Sequence, residues 1–298
     1  MESVKIPVVQ RSARHWYTDG SVIVQAGETL YNIHRSMMIQ KSAVFADMFA
    51  LPMENLNTTD IQGIHEENPI VLHNVVTSIM LDDLLDWIYK IDWHPMAKPS
   101  YPERFLVNIL MLSTMWDIPS GRQFAIACLD ILNLHPARQI ELSRMFGIDE
   151  WVSTAFEDLI KLDLTTLSED QERMIGFKTY IILAKAKEFV EHERKLIASI
   201  PPPMAFVQSF ECEHHDDCRT AWKELWWKKV ARSLLHPRAP MVLETGVTYV
   251  EQLEFEGMSA CCKADMVEVI KQRNAFGIVE KVVEEAGTAV LAYNKSLC

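Results

Sequence analysis

The chain has 298 residues, 49% of them hydrophobic, so it is long enough for two ordinary domains and can fill a sizeable core. With 29 basic and 41 acidic residues its net charge is -12, which repels nucleic-acid phosphates and argues against a nucleic-acid partner. No uninterrupted apolar run is long enough to span a membrane, and residues 1–17 lack the apolar core of a secretory signal. We therefore expect a cytoplasmic or nuclear protein without a membrane anchor, whose six cysteines are reduced thiols or metal ligands.

A β-hairpin is the first element that the sequence predicts clearly. Asp19-Gly20 is a turn pair, and the β-branched run at 22–24 favours an extended strand. Gly27 permits a tight turn, and the apolar–polar alternation over 30–33 is typical of a second strand. Residues 19–33 are therefore predicted to form two antiparallel strands.

Two short helices are predicted directly after the hairpin. From His34 onward the apolar residues, among them Met37, Met38 and Phe45, recur at helical spacing. Ser42 is placed to cap the second of these helices. The change from period two to helical spacing thus predicts a hairpin that leads straight into a helix pair.

This order of residues resembles the BTB/POZ domain over residues 15–134. The residues that carry the resemblance are Asp19, Gly20, His34, Arg35, Ser42 and Phe45. The later segments are similar to those of the larger fungal BTB proteins. The resemblance implies a protein-interaction module that self-associates, commonly as a homodimer. In some branches of the family it implies an adaptor that brings a substrate protein to a cullin-3 ubiquitin ligase.

The resemblance also implies where self-association takes place, namely on the hairpin and the first helices. The residues predicted to line this interface are Val22, Val24, Arg35, Met37 and Met38. In the family pattern an acidic residue thirteen positions before the histidine forms a charged pocket with the following basic residue. Here Ser21 holds that position, so either Asp19 supplies the counter-charge of Arg35 or the pocket holds water.

The remainder of the first region is predicted to add a strand and a helical cluster. Residues 69–72 are predicted to form a third strand. Helices are predicted over 77–90, 103–116 and 120–134, the first with Asp83 on its polar face, opposite the leucine stripe. Residues 1–14, which show little apolar pattern, are predicted to form a flexible arm.

An all-helical region is predicted from His135 to the end, which gives an α+β protein with an all-α C-terminal part. A helix that starts at Pro136 and stops at Gly147, followed by one over 151–160, resembles the helical extension of cullin-3 adaptors. This extension is predicted to cover 135–200. A capping box formed by Ser168 and Gln171 begins its last, long helix. The proline run 201–203 is interpreted as a linker to a separate C-terminal helical region, 201–298.

A group of cysteines and histidines in the last region could form a structural zinc site. The predicted ligands are Cys212, His215, Cys218 and Cys261. The Cys-x5-Cys spacing is wider than that of most zinc sites, and in the alternative interpretation the cysteines at 261 and 262 are small buried residues. We therefore predict no obligatory cofactor and leave zinc as a possibility to test.

Two further features have a functional and a structural interpretation. Trp222 and Trp226, on a basic helix, could stack on nucleic-acid bases, but their spacing of four residues favours packing into the core. His34 could be a general base or a metal ligand, but apolar neighbours favour a buried histidine bonded to the hairpin backbone. No recognisable catalytic motif occurs, so we predict a protein that is not an enzyme. The alternatives are a BTB-type transcriptional regulator or scaffold and a zinc-dependent enzyme that uses the cysteine–histidine group.

Overall fold

The computed structural model describes residues 9–51, 61–91, 101–204 and 211–297. The first unit contains a four-stranded mixed sheet. Its strands are β1 (Gln10–Trp16), β2 (Val22–Ala26), β3 (Thr29–Ile33) and β4 (Ile70–Val71). They lie in the order β1-β3-β2-β4, with β2 and β3 antiparallel and the two edge strands parallel to their neighbours. Val24 of β2 faces Tyr31 of β3 and both are buried, so the predicted hairpin is confirmed.

Strand β1 corrects the prediction of a flexible arm. Residues 10–14 belong to this strand, whereas residues 1–8 lie outside the described residues. The strand buries Ser12 and His15 and leaves the arginines beside them in solvent. Because its inward face carries polar side chains, the apolar alternation that predicts a strand is missing.

Helices make up most of the regular structure described in the first unit. They are α1 (Arg35–Lys41), α2 (Ala43–Ala50), α3 (Ser78–Asp86), α4 (Glu103–Met115) and α5 (Pro119–Ile131), and a π-helical segment, Trp87–Ile91, continues α3. The hydroxyl oxygen of Ser42 accepts a hydrogen bond from the backbone N–H of Phe45 at 3.1 Å, so the predicted cap is confirmed. The hydroxyl also donates to the carbonyl of Trp116 and thereby ties α2 to the end of α4.

Asp83 departs from its predicted place on the polar face of α3. Its side chain is buried and accepts a hydrogen bond of 2.7 Å from the amide of Asn108 on α4. The sequence pattern placed it in solvent because an aspartate is seldom buried without a partner. Asn108, 25 residues later in the chain, is that partner.

In the second unit, His135–Cys298, the regular secondary structure of the described ranges, 135–204 and 211–297, consists of helices. Its helices are α6 (Pro136–Phe146), α7 (Glu150–Lys161), α8 (Glu169–Ile175), α9 (Phe177–Ser199), α10 (His215–Leu225), α11 (Arg232–Leu234), α12 (Gly246–Gln252), α13 (Ala260–Gln272) and α14 (Ile278–Lys295). A π-helical segment, Trp226–Ala231, joins α10 to α11. With the sheet in the first unit, this confirms the predicted α+β class, and the division between the units falls at the predicted boundary between 134 and 135.

The second unit has one hydrophobic core, which corrects the division predicted at the proline run 201–203. Buried side chains from Ala137 to Val290 form a single cluster. The indole N–H groups of Trp222 and Trp226 donate to the carbonyls of Pro202 and Ile197, at 3.0 and 3.1 Å. The proline run is therefore held against the helix that follows it and does not separate two bodies.

Candidate functional site

His34 lies between the hairpin and α1, where its ring contacts residues from two distant parts of the sequence. Its Nδ1 is 3.0 Å from the hydroxyl of Tyr89, and its Nε2 is 3.3 Å from a carboxylate oxygen of Asp19. The side chain is 24% exposed. The prediction of a buried histidine bonded to the hairpin backbone is thus wrong in both burial and partners.

The partners of His34 fix the start of α1. The hydroxyl oxygen of Tyr89 also accepts a hydrogen bond from the backbone N–H of His34, at 3.0 Å. The ring of Tyr17 lies 4.7 Å from that of Tyr89 and 5.1 Å from the imidazole, measured between centroids. The hydrogen bond from His34 lowers the pKa of Asp19. Both ring nitrogens are engaged, so this arrangement holds the imidazole in place.

Arg35 does not form the pocket expected from the family pattern. Its guanidinium donates to the carbonyl of Phe49 and lies 4.7 Å from the centre of the Phe49 ring. Its backbone N–H donates to the hydroxyl oxygen of Ser21 at 2.9 Å. Asp19 pairs with His34, so the counter-charge expected for Arg35 is replaced by a carbonyl and an aromatic face.

The residues predicted to line the self-association surface fall into two groups. Val22, Val24 and Met38 are buried inside the first unit, so for these three the prediction is wrong. Met37 is partly exposed. The large apolar side chains with the greatest exposure on α1 and α2 are those of Ile39 and Val44, 39% and 44% exposed. The helical spacing of the apolar residues does not show which of them face inward and which face solvent, because these helices carry apolar residues on both faces.

A cluster of thiols and one imidazole lies between the starts of α10 and α13. The sulfur atoms of Cys212 and Cys218 are 3.7 Å apart. The sulfur of Cys262 is 3.5 Å from Nδ1 of His215. One ligand atom from each of Cys212, His215 and Cys262 lies within 4.8 Å of the others, so these side chains could hold a metal ion.

Cys262, and not the predicted Cys261, completes this cluster. The thiol of Cys261 donates to the hydroxyl oxygen of Ser259 at 3.3 Å. Adjacent residues on a helix point about 100° apart, so only one of the two cysteines can face His215. The sequence shows the pair but not the rotation of α13, which its packing determines.

The surroundings of the cluster shift the pKa values of its thiols in opposite directions. A hydrogen bond from the hydroxyl of Ser259, followed by one from the backbone N–H of His214, lowers the pKa of Cys212. Burial raises the pKa of Cys262 to about 12. The backbone N–H of Ser259 donates to the sulfur of Cys218 at 3.3 Å. The cluster thus combines buried thiols with N–H and O–H donors aimed at sulfur.

The tryptophan helix is part of the core, as its spacing predicts. Trp222 and Trp226 are fully buried, and Trp222 stacks on Phe255 with ring centroids 4.9 Å apart. Both indole N–H groups have backbone acceptors. These two rings are not accessible to a nucleic-acid base, and of the three tryptophans on this helix Trp227 alone is exposed, at 49%.

Comparison with known proteins adds no relative to this description. Neither a protein-family model nor a curated protein nor a solved structure matches the chain. Within the ranges covered by the structure, every helix is too short or too polar to cross a lipid bilayer. The similarity to the BTB/POZ domain thus rests on the residues that carry it and stays a prediction.

Proposed function

We propose that the chain is a protein-interaction module that self-associates through its first unit, in the manner expected of a BTB/POZ domain. The order of elements supports the proposal: a hairpin, two short helices, a strand that returns beside β2, and three further helices. The observation that carries it is the pair of exposed apolar side chains on α1 and α2, Ile39 and Val44.

The surface formed by α1 and α2 suits a second copy of the chain. Phe45 and Met38 point inward and anchor the two helices, while Ile39 and Val44 face solvent. Removing apolar surface from water stabilises an association by about 25 cal/mol per Å². A stable interface buries about 1,200 Å² or more in total, so these two side chains are anchors within a larger contact area.

The mass of the native protein in solution tests self-association. We expect twice the 34.2 kDa of one chain for the wild type. The Ile39→Asp variant should have a lower mass, because a charge would be buried without a partner in the interface. Ile131→Asp, at a more exposed isoleucine on α5, is the matched control and should keep the wild-type mass.

Two results would contradict the proposal. One is a folded wild type of 34.2 kDa at every concentration tested. The other is a folded Ile39→Asp variant with the mass of the wild type. Circular dichroism of each variant shows whether it is folded, so a lower mass caused by unfolding is recognised.

An adaptor for a cullin-3 ubiquitin ligase is the narrower form of this proposal. The helix pair α6 and α7, which begins directly after the boundary between the units, supports it. Calorimetric titration with the N-terminal domain of cullin-3 distinguishes the two forms. Saturable binding supports the adaptor, whereas a folded protein that does not bind is left with self-association alone.

A further inference from the structure

The ligand atoms of Cys212, His215 and Cys262 lie within 4.8 Å of one another near the starts of α10 and α13, and the sulfur of Cys218 lies 3.7 Å from that of Cys212. We propose that Cys212, His215, Cys218 and Cys262 bind one Zn²⁺ ion, which has a structural role in the second unit. This inference is independent of self-association, because all four residues belong to the second unit. It departs from the sequence-based ligand set by replacing Cys261 with Cys262.

Two pairs of ligand atoms have the separations that a tetrahedral zinc site requires. With Zn–S bonds of about 2.3 Å and Zn–N bonds of about 2.0 Å, two sulfurs lie about 3.7 Å apart, and a sulfur and a nitrogen about 3.5 Å apart. The sulfurs of Cys212 and Cys218 are 3.7 Å apart, and Cys262 lies 3.5 Å from His215. Both pairs therefore already have the spacing that a shared ion requires.

The spacing along the chain also fits zinc once the histidine is counted. Two residues separate Cys212 from His215, and two more separate His215 from Cys218. Each gap lies within the range of two to four that is common in structural sites. His215 and Cys218 are three residues apart on α10 and so share one face of that helix. When only the cysteines are counted, the five residues between Cys212 and Cys218 give a spacing wider than usual, and the Cys-x2-His-x2-Cys pattern is not recognised.

Two helix N-termini offset part of the cost of burying thiolates, the form in which cysteine binds zinc. His215 and Cys218 lie in the first turn of α10, and Cys262 lies in the first turn of α13. The positive end of each helix dipole stabilises a thiolate there. The backbone N–H of Ser259 donates to Cys218, which is the kind of outer-shell hydrogen bond that orients metal ligands.

Four protein ligands leave no open coordination position, so the ion would stabilise structure and not activate water. It would join the segment just before α10 to the start of α13. Trp222 of α10 also stacks on Phe255, which precedes α13 in the chain. Loss of the ion should therefore loosen the contact between α10 and α13.

Metal analysis of the purified full-length chain, with two adjacent cysteines as test and control, examines the proposal. We expect about one equivalent of zinc in the wild type. Cys262→Ser should lose it, whereas Cys261→Ser should retain it, because the thiol of Cys261 bonds to Ser259. Replacing zinc with Co²⁺ should give the visible absorption of a tetrahedral, thiolate-bound ion in the wild type and in Cys261→Ser only.

A second pair of variants keeps the test valid if Cys262→Ser does not fold. Cys262→His retains a metal ligand and should bind Co²⁺ with a shifted spectrum. Cys212→Ser, at a partly exposed position, should lose the metal. The proposal is overturned by a folded wild type, purified with its thiols reduced, that binds neither zinc nor Co²⁺. Equal metal contents of Cys262→Ser and Cys261→Ser would also overturn it, as would a Cys212–Cys218 disulfide in protein isolated under reducing conditions.

Discussion

His15 is a buried histidine whose surroundings disfavour the charged imidazolium form. Its side chain has no solvent exposure, and its Nε2 lies 3.2 Å from a carboxylate oxygen of Asp86. Asp86 is already paired with Arg14 and Lys90. Burial, and then the positive charges of Lys90 and Arg14, lower the pKa of His15 to about 4. The two cations thus offset the attraction of the carboxylate for an imidazolium.

The low pKa of His15 makes the first unit less stable in mild acid. In the unfolded chain the pKa of a histidine is about 6.5, so between pH 7 and 4 the unfolded state binds the proton more readily. The free energy of unfolding should therefore fall by about 2 kcal/mol between pH 7 and pH 5. Urea unfolding at both pH values should show this loss in the wild type but not in His15→Gln.

An exposed histidine provides the control for this measurement. His65→Gln removes a side chain that lies in solvent, so its stability should depend on pH as that of the wild type does. The same pH dependence in His15→Gln would show that another group causes the loss.

At the scale of single residues, the sequence predicts which residue types are important better than it predicts their contacts. It identifies His34 and Arg35, but the partners Tyr89 and Phe49 come from elements that only the fold brings near. It also identifies the cysteine pair at 261 and 262, yet which thiol points into the cluster depends on how α13 packs. Short-range rules do not contain this information.

Gly176 divides what the sequence predicts to be one long helix after Ser168. Its φ of 79° and ψ of 147° end α8 and begin α9. The guanidinium of Arg144 donates to the carbonyls of Met174 and Ile175 at 2.9 and 2.8 Å, and so supplies hydrogen-bond donors to backbone carbonyls at the end of α8. A helical pattern on both sides of a glycine does not show whether the helix continues through it.

Replacing Gly176 with alanine should destabilise the second unit by about 3 kcal/mol. This backbone conformation is almost restricted to glycine, and the added Cβ would lie 2.8 Å from Nη1 of Arg144. Gly147→Ala is the control: its φ is 61°, nothing lies within 4 Å of the added Cβ, and the cost should be about 1 kcal/mol. Urea unfolding measures both variants, and equal losses would contradict this account of the break.

At the scale of elements, local signals predict helix ends well and edge strands poorly. The cap at Ser42 and the stop at Gly147 depend on neighbouring residues, and both lie where the sequence predicts. Strand β1 depends on parallel pairing with β3, in which Gln10 faces Thr29. Because this pairing is not local, nothing in the sequence of β1 alone reveals it.

The whole molecule consists of two units with separate cores. Of the two boundaries between folded regions that the sequence predicts, one lies between these units and the other falls inside the second unit. His135-Pro136 is a local signal, and the two units divide there. The proline run 201–203 is an equally strong local signal, yet Trp222 donates a hydrogen bond to the carbonyl of Pro202 within it, and Trp226 donates one to Ile197 before it. A proline run ends a helix, but only the packing of later residues determines whether it also ends a domain.

Fragments of the chain test this organisation. We expect residues 1–134 and residues 135–298 each to fold alone, because each contains its own core and is long enough to bury it. Residues 135–200 should not fold, since they would leave their part of the core without Trp222 and Trp226. Thermal unfolding followed by circular dichroism should show a cooperative transition for the first two fragments only. A cooperative transition for 135–200 would restore the boundary at the proline run and make the helical extension an independent domain.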